Sequence, residues 1–189
     1  MKKITLIMLL FLLLRSSLIS AQTDAEMKAW QTYMTPGQVH KMLESQNGEW
    51  TEEMTMWMEP GKPPTKATAT SVNEMLLGGR YQQSKITGTM MGQPFEGLSI
   101  VGYDNARKVF TSTWIDNMGT GTMTLEGVWN SAKKTIVSKG KAVDPSTGKI
   151  IAVRQVIKII DDDHQEMQMY DTKNGKERKT MELKMSRKK

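Results

Sequence analysis

The chain has no cysteine among its 189 residues. That excludes a disulfide scaffold, a thiolate metal site, a cysteine nucleophile and a lipid attached through cysteine. Histidine is nearly as scarce, with His40 and His164 the only two. A histidine-rich metal or catalytic centre cannot be built from them. Gly-x-Ser-x-Gly, His-Glu-x-x-His and a Walker loop are all missing. No nucleophile–base pair is visible, so the residues point away from an enzyme. No metal site or cofactor is expected. Basic residues form no stripe with interleaved aromatics, which argues against nucleic acid as a partner. With three Phe and four Tyr, aromatics are too few to fill a core alone. The length suits one ordinary domain that buries a continuous core.

What is present begins with a leader pattern. Lys2 and Lys3 precede an apolar run from Ile4 to Leu14, and small or polar residues follow up to Ala21. The run is too short for a bilayer span, which needs about 20 residues. It reads as a signal peptide over residues 1–21, cleaved after Ala21. Losing Lys2, Lys3 and Arg15 takes the net charge from +6 to +3. The mature chain is then expected in the periplasm or secreted. It has no lipobox cysteine and no stable membrane anchor, and a monomer or weak dimer is expected.

Two short helices follow. Residues 22–34 form a helical segment, with Thr23 and Glu26 as a capping box. Thr35, Pro36 and Gln38 mark a second start, and Val39, Met42 and Leu43 give that helix an apolar stripe. Gly48 is expected as its left-handed cap, with His40 on the solvent side. From residue 49 the period becomes two. About ten strands are expected, the first over 49–59 and the last over 178–187. Pro60-Gly61, Gly78-Gly79, Gly92-Gln93 and Asn174-Gly175 are among the turns between them. None of the connections can hold a crossover helix, so the strands form an antiparallel meander. Closure into a barrel removes its edges. The fold class is therefore all-β, an up-and-down barrel domain over 35–189.

Gly48-Glu49-Trp50 sharpens this. A short helix followed by Gly-x-Trp at the first strand resembles the calycin pattern of lipocalins and fatty-acid-binding barrels. The resemblance implies that Trp50 plugs one barrel end and that a basic residue of the last strand covers it. Arg187 is the candidate, since it shares a face with Met181, Leu183 and Met185. Glu52 is expected near enough to offer Arg187 a carboxylate.

Longer segments match a family in order: MTPGQVHKMLESQNGEW, MWMEPGKPP, NEMLLGGRY, GTMMGQPFEGLSIVGYDN, STWIDNMGTG and DPSTGK. They resemble the bacterial domain of unknown function 1579 from about Met34 to Arg187. The resemblance brings no catalytic residue, substrate or cofactor.

Methionine is abundant, at 17 residues. If Trp50 points inward, Met54, Met56 and Met58 do too, facing Met181, Leu183 and Met185. Three readings stand side by side. The row is adaptable core filler, or the wall of a cavity for a small apolar or amphipathic molecule, or a soft-metal site for Cu(I). Arg80 and Arg154 are candidates for holding an anionic head group, or else outward charges. Trp114 and Asp116 share a face with Phe110 and Ser112 and suit a pocket wall. His164 invites comparison with nitrobindin-type haem barrels, although its own row is polar. Asp161, Asp162 and Asp163 read as a charged hairpin tip or a hard-cation site. The leading expectation is non-catalytic binding inside a Met-lined barrel. The alternatives are a hydrolase or isomerase at the barrel mouth and an interaction module without a cavity.

Overall fold

The computed structural model describes residues 23–59 and 61–189. The expected leader, residues 1–21, lies outside them. The chain divides into two compact units, the first ending at Thr35 and the second running from Pro36 to Lys189. In the first, residues 23–34 form helix α1. Trp30 and Tyr33, three residues apart and so on one helix face, meet edge to face at 5.9 Å.

The second unit begins with helix α2 (Gln38–Glu44) and continues with ten strands. These are β1 (Gly48–Met56), β2 (Thr65–Leu76), β3 (Tyr81–Met90), β4 (Gln93–Asp104) and β5 (Val109–Asp116). They continue as β6 (Met123–Asn130), β7 (Thr135–Asp144), β8 (Lys149–Ile159), β9 (His164–Lys173) and β10 (Lys176–Arg187). Each strand pairs antiparallel with the next, and β1 pairs with β10, so the sheet closes into a barrel. The expected ten-stranded antiparallel barrel is the observed fold. Its tightest hairpins use residues with positive φ. Asn174 (φ 51°) and Gly175 (φ 73°) turn β9 into β10, the twist that suits a two-residue hairpin. The β3–β4 turn lies one residue earlier than expected, on Met91 (φ 52°) and Gly92 (φ 76°).

Helix α2 departs from its expected caps. Its N-cap is Gly37, not Thr35, and the Gly37 N–H donates to His40 Nδ1 at 3.0 Å. That bond turns His40 inward, and its ring meets Tyr103 edge to face at 6.1 Å. His40 is buried, not solvent-facing. Burial, with a smaller effect of the nearby Arg80 charge, lowers its pKa, which fits an Nδ1 that accepts. The helix ends at Ser45. Gly48 instead opens β1 with φ +113°, where an added Cβ would sit 3.2 Å from the Arg187 guanidinium.

Two apolar clusters fill the barrel. Leu43, Phe110 and Ile136 form one against α2. Met54, Ala69, Ile86, Phe95, Met167 and Leu183 form the other. A register shift between Lys179 and Met181 interrupts β10. The extra residue reverses the alternation, so Arg178 lines up with Asp171 and they pair at 2.7 Å.

Candidate functional site

One end of the barrel is plugged. Trp50 is 1% exposed, and its Nε1 donates to the Gln46 carbonyl at 3.1 Å. The Arg187 guanidinium lies 4.4 Å from the centre of the Trp50 ring. The same guanidinium donates to the carbonyls of Ser45 (2.8 Å), Asn47 and Asp162 (3.0 Å) and meets the Asp163 carboxylate at 3.3 Å. Gln82 Nε2 donates to the Leu43 carbonyl, and Asn73 Nδ2 to that of Gln46. Seven residues are too few for a helix to stand alone. Here the carbonyls of Leu43 and Ser45 at its C-terminus, and of Gln46 and Asn47 just beyond it, accept from donors on β1, β2, β3 and β10. The plug is thus a network of directional bonds around one indole.

Inside lies a cavity of about 390 Å³. Its wall has three levels. Next to α2 are Leu43, Phe110 and Ile136. A polar belt follows, with Ser71, Ser84, Ser99, Ser112, Ser138, Gln155 and Glu52, whose carboxyl hydrogen-bonds with Ser71. Register supports the belt, since Ser84 faces Ser99 and Ser138 faces Gln155 across strand pairs. Towards the other end are Met54, Met56, Met90, Met123, Met169 and Met181. Glu52 is 7% exposed. Burial pushes its carboxyl above the ordinary carboxylate pKa, against a smaller lowering by a hydrogen bond with Ser71. A second buried acceptor, Asn73 Oδ1, has no hydrogen-bond partner.

The far end carries the aromatic pair Phe95 and Trp114, stacked with ring centres 6.3 Å apart. Trp114 fits there because residue 97 is glycine, where a Cβ would lie 2.3 Å from the indole. Trp114 Nε1 donates to Asp116 Oδ2 at 2.6 Å, and the Met118 N–H donates to Oδ1 at 2.9 Å. Asp116 is thereby held at the rim.

The structure brings Glu52, Met54, Met56, Trp114, Met181, Leu183 and Met185 to the cavity wall, with Trp50 and Arg187 at the plug. It overturns five expectations. Met58 is 59% exposed, because the last β1 pairings are Met56 with Met181 and Thr65 and the inward alternation stops there. Arg80 is exposed in the β2–β3 turn, donating to the Leu77 carbonyl at 3.0 Å. Arg154 alternates with the inward Val153 and Gln155, so it points outward; it pairs with Glu177 at 2.7 Å and lies 3.8 Å from the Tyr170 ring centre. Glu52 does not face Arg187, which is occupied by Asp163 and backbone carbonyls. Its β10 neighbour is Met185. His164 is exposed on the β8–β9 hairpin, 2.8 Å from Asp161, so it is no axial ligand inside the barrel. Among the described residues, no group of three or more His, Asp or Glu side chains is placed to hold a metal ion.

Sequence reasoning missed the belt. Five inward rows, those of β2, β3, β4, β5 and β7, hold a serine among their wall residues, as in Phe110, Ser112, Trp114. A single such residue carries no signal. Cross-strand register does, where it sets Ser84 against Ser99 and Ser138 against Gln155. Met90, Met118 and Met123 were missed because they lie beside turns, where period two fades.

The family model described as "Protein of unknown function (DUF1579)" matches residues 35–187. No curated protein matches the chain. Among solved structures, the chain is similar to the crystal structure of Rv2717c from M. tuberculosis. Identity is 12% and the TM-score 0.61, over 82% of this chain and 100% of that one. At that identity the likeness concerns the fold alone.

Proposed function

The chain belongs to the DUF1579 family, and we propose that it binds a small apolar or amphipathic molecule inside its barrel without transforming it. The observation that carries this reading is the cavity. Its volume of about 390 Å³ falls in the range of small-molecule sites, about 300–1,000 Å³. Thioethers supply much of the wall, and flexible Met side chains repack around differently shaped guests at little cost. A solid core of this size would be filled by branched or aromatic residues. The leader pattern in residues 1–21 adds that the binding takes place outside the cytoplasm.

Native mass spectrometry of the chain purified from its own host tests both parts. The expected spectrum shows a chain that begins at Gln22 and carries a noncovalent guest. A bare chain that also fails to take up an uncharged environment-sensitive dye overturns the binding reading. A mass that retains Met1 to Ala21 overturns export by cleavage.

A second reading is favoured by one observation, the buried Glu52 carboxyl, which suits a general acid or base in an isomerase or hydrolase. The other ionisable side chain of the wall, Asp116, already accepts from Trp114 and Met118.

A further inference from the structure

The charge of the cavity wall selects the guest's head group. Among the described residues that line it, Glu52 and Asp116 are the ionisable ones, and no Lys, Arg or His is present. A carboxylate taken into an apolar cavity is costly without a partner charge, and here both candidate cations are elsewhere. Arg80 bonds its own turn, and Arg154 is committed to Glu177 on the outer face. The inward Arg178 is closed by both oxygens of Asp171 at 2.7 and 2.8 Å. Arg187 lies beyond Trp50, bound to Asp163 and carbonyls. An anionic head group would meet Glu52 with nothing to offset either charge.

We propose that the barrel selects apolar molecules ending in a protonated amine, with the ammonium on the Glu52 carboxylate inside the serine belt and the tail along the methionines. The proposal rests on the binding reading above and gives it a ligand class. An ammonium has three donors and no acceptor. The cavity presents two strong acceptors, the Glu52 carboxylate, which has one donor in Ser71, and the unpartnered Asn73 Oδ1. Belt hydroxyls such as Ser71 accept as readily as they donate. From Glu52 to Met56 is four residues of strand, about 13 Å, along which an alkyl tail packs against thioethers. The far rim suits passage of a cation as well. Phe95 and Trp114 offer ring faces, and Asp116 adds a negative charge beside them.

Binding is then coupled to protons. Around Glu52 stand Trp50 and Met54 on β1, Ala69 and Ser71 on β2, and Leu183 and Met185 on β10, none of them ionisable. Across the cavity the belt is serine and glutamine, and Asp116 is the one further charge of the wall. An ammonium pairs with the carboxylate form, and burial shifts Glu52 towards the protonated form, so protonation of Glu52 and amine binding oppose each other. Amine affinity falls as pH drops and more of the carboxyl is protonated. Affinity for an alcohol of the same length stays flat.

The test displaces an uncharged environment-sensitive dye from the full chain with dodecylamine, dodecanol or dodecanoate, each below its micelle concentration. The expected order is amine, then alcohol, then carboxylate, with the amine ahead of the alcohol by about tenfold or more, the scale of a charged hydrogen bond. Glu52→Gln is expected to erase that tenfold gap between amine and alcohol. Retained dye binding reports an intact barrel. Equal displacement by all three, or the carboxylate first, overturns the head-group assignment and leaves the binding reading standing. An amine preference that survives Glu52→Gln also overturns it, since the cation then sits elsewhere. Failure of the dye and all three amphiphiles to bind overturns both.

Discussion

The two ends of the barrel are built from different forces. At the α2 end, Trp50 and Arg187 are fixed by directional contacts: indole to Gln46, and guanidinium to Ser45, Asn47, Asp162 and Asp163. At the far end, Met54, Met56, Met169 and Met181 meet one another by dispersion, which has no preferred direction. The first arrangement has one geometry. The second has many of similar energy. The difference assigns stability to the plug and adaptability to the methionine half, with Glu52 between them.

Removing the plug should give the largest effect. Trp50→Ala leaves a cavity where a fully buried indole stood, and a loss of about 3–5 kcal/mol is expected in urea denaturation. Arg187→Ala should cost less, because the indole still fills the barrel end. Its loss still frees the carbonyls of Ser45 and Asn47, so α2 should loosen and its amides exchange faster with solvent. If Trp50→Ala costs no more than truncating a methionine of the far end, the contrast between the ends is wrong.

The plug was also the part most legible in the sequence. Gly-x-Trp after a short helix, with an inward Arg closing the last strand, specifies both partners before any register is known. Strand positions were legible for a similar reason, since Gly and Asn at the hairpins punctuate a period of two. Arg80 and Arg154 were not. Arg80 falls in the turn just before β3 begins at Tyr81, and whether Arg154 faces in or out depends on parity counted from a fixed residue, which β8 does not offer as definitely as Trp50 does for β1. The β10 bulge was hidden too. It turns Arg178 inward against the alternation, and no turn residue marks it. The function of the cavity was least legible, because its polar belt exists only across strands.

Glu52 offers a way to sharpen the comparison through pH. Its carboxyl is raised above the ordinary value by burial, so the folded chain binds the proton more tightly than the unfolded chain does. The stability it contributes is fully present below the unfolded value of about 4.3 and is lost as pH rises through the folded value. Glu52→Gln removes this slope. In thermal melts the variant should gain on the wild type as pH increases from about 4 towards neutrality. Parallel pH profiles for the two proteins would mean that the carboxyl is solvated and that the belt does not isolate it.

The smallest effect is expected at Met58, where the inward row of β1 has already ended. Period two from Trp50 places Met58 with Met54 and Met56, yet β1 stops pairing at Met56. Beyond it the Trp57 N–H makes one more bond, to the Thr180 carbonyl at 2.9 Å, and Met58 is left 59% exposed. An exposed thioether has little to lose on truncation, so Met58→Ala should change stability by no more than about 0.5 kcal/mol and leave dye binding unchanged. The same truncation at Met56, which is 7% exposed, deletes part of the cavity wall and should both destabilise the chain and alter dye affinity. A Met58→Ala variant that weakens dye binding as Met56→Ala does would return Met58 to the inward row. It would extend the methionine wall by one level beyond the last hydrogen-bonded pair of β1.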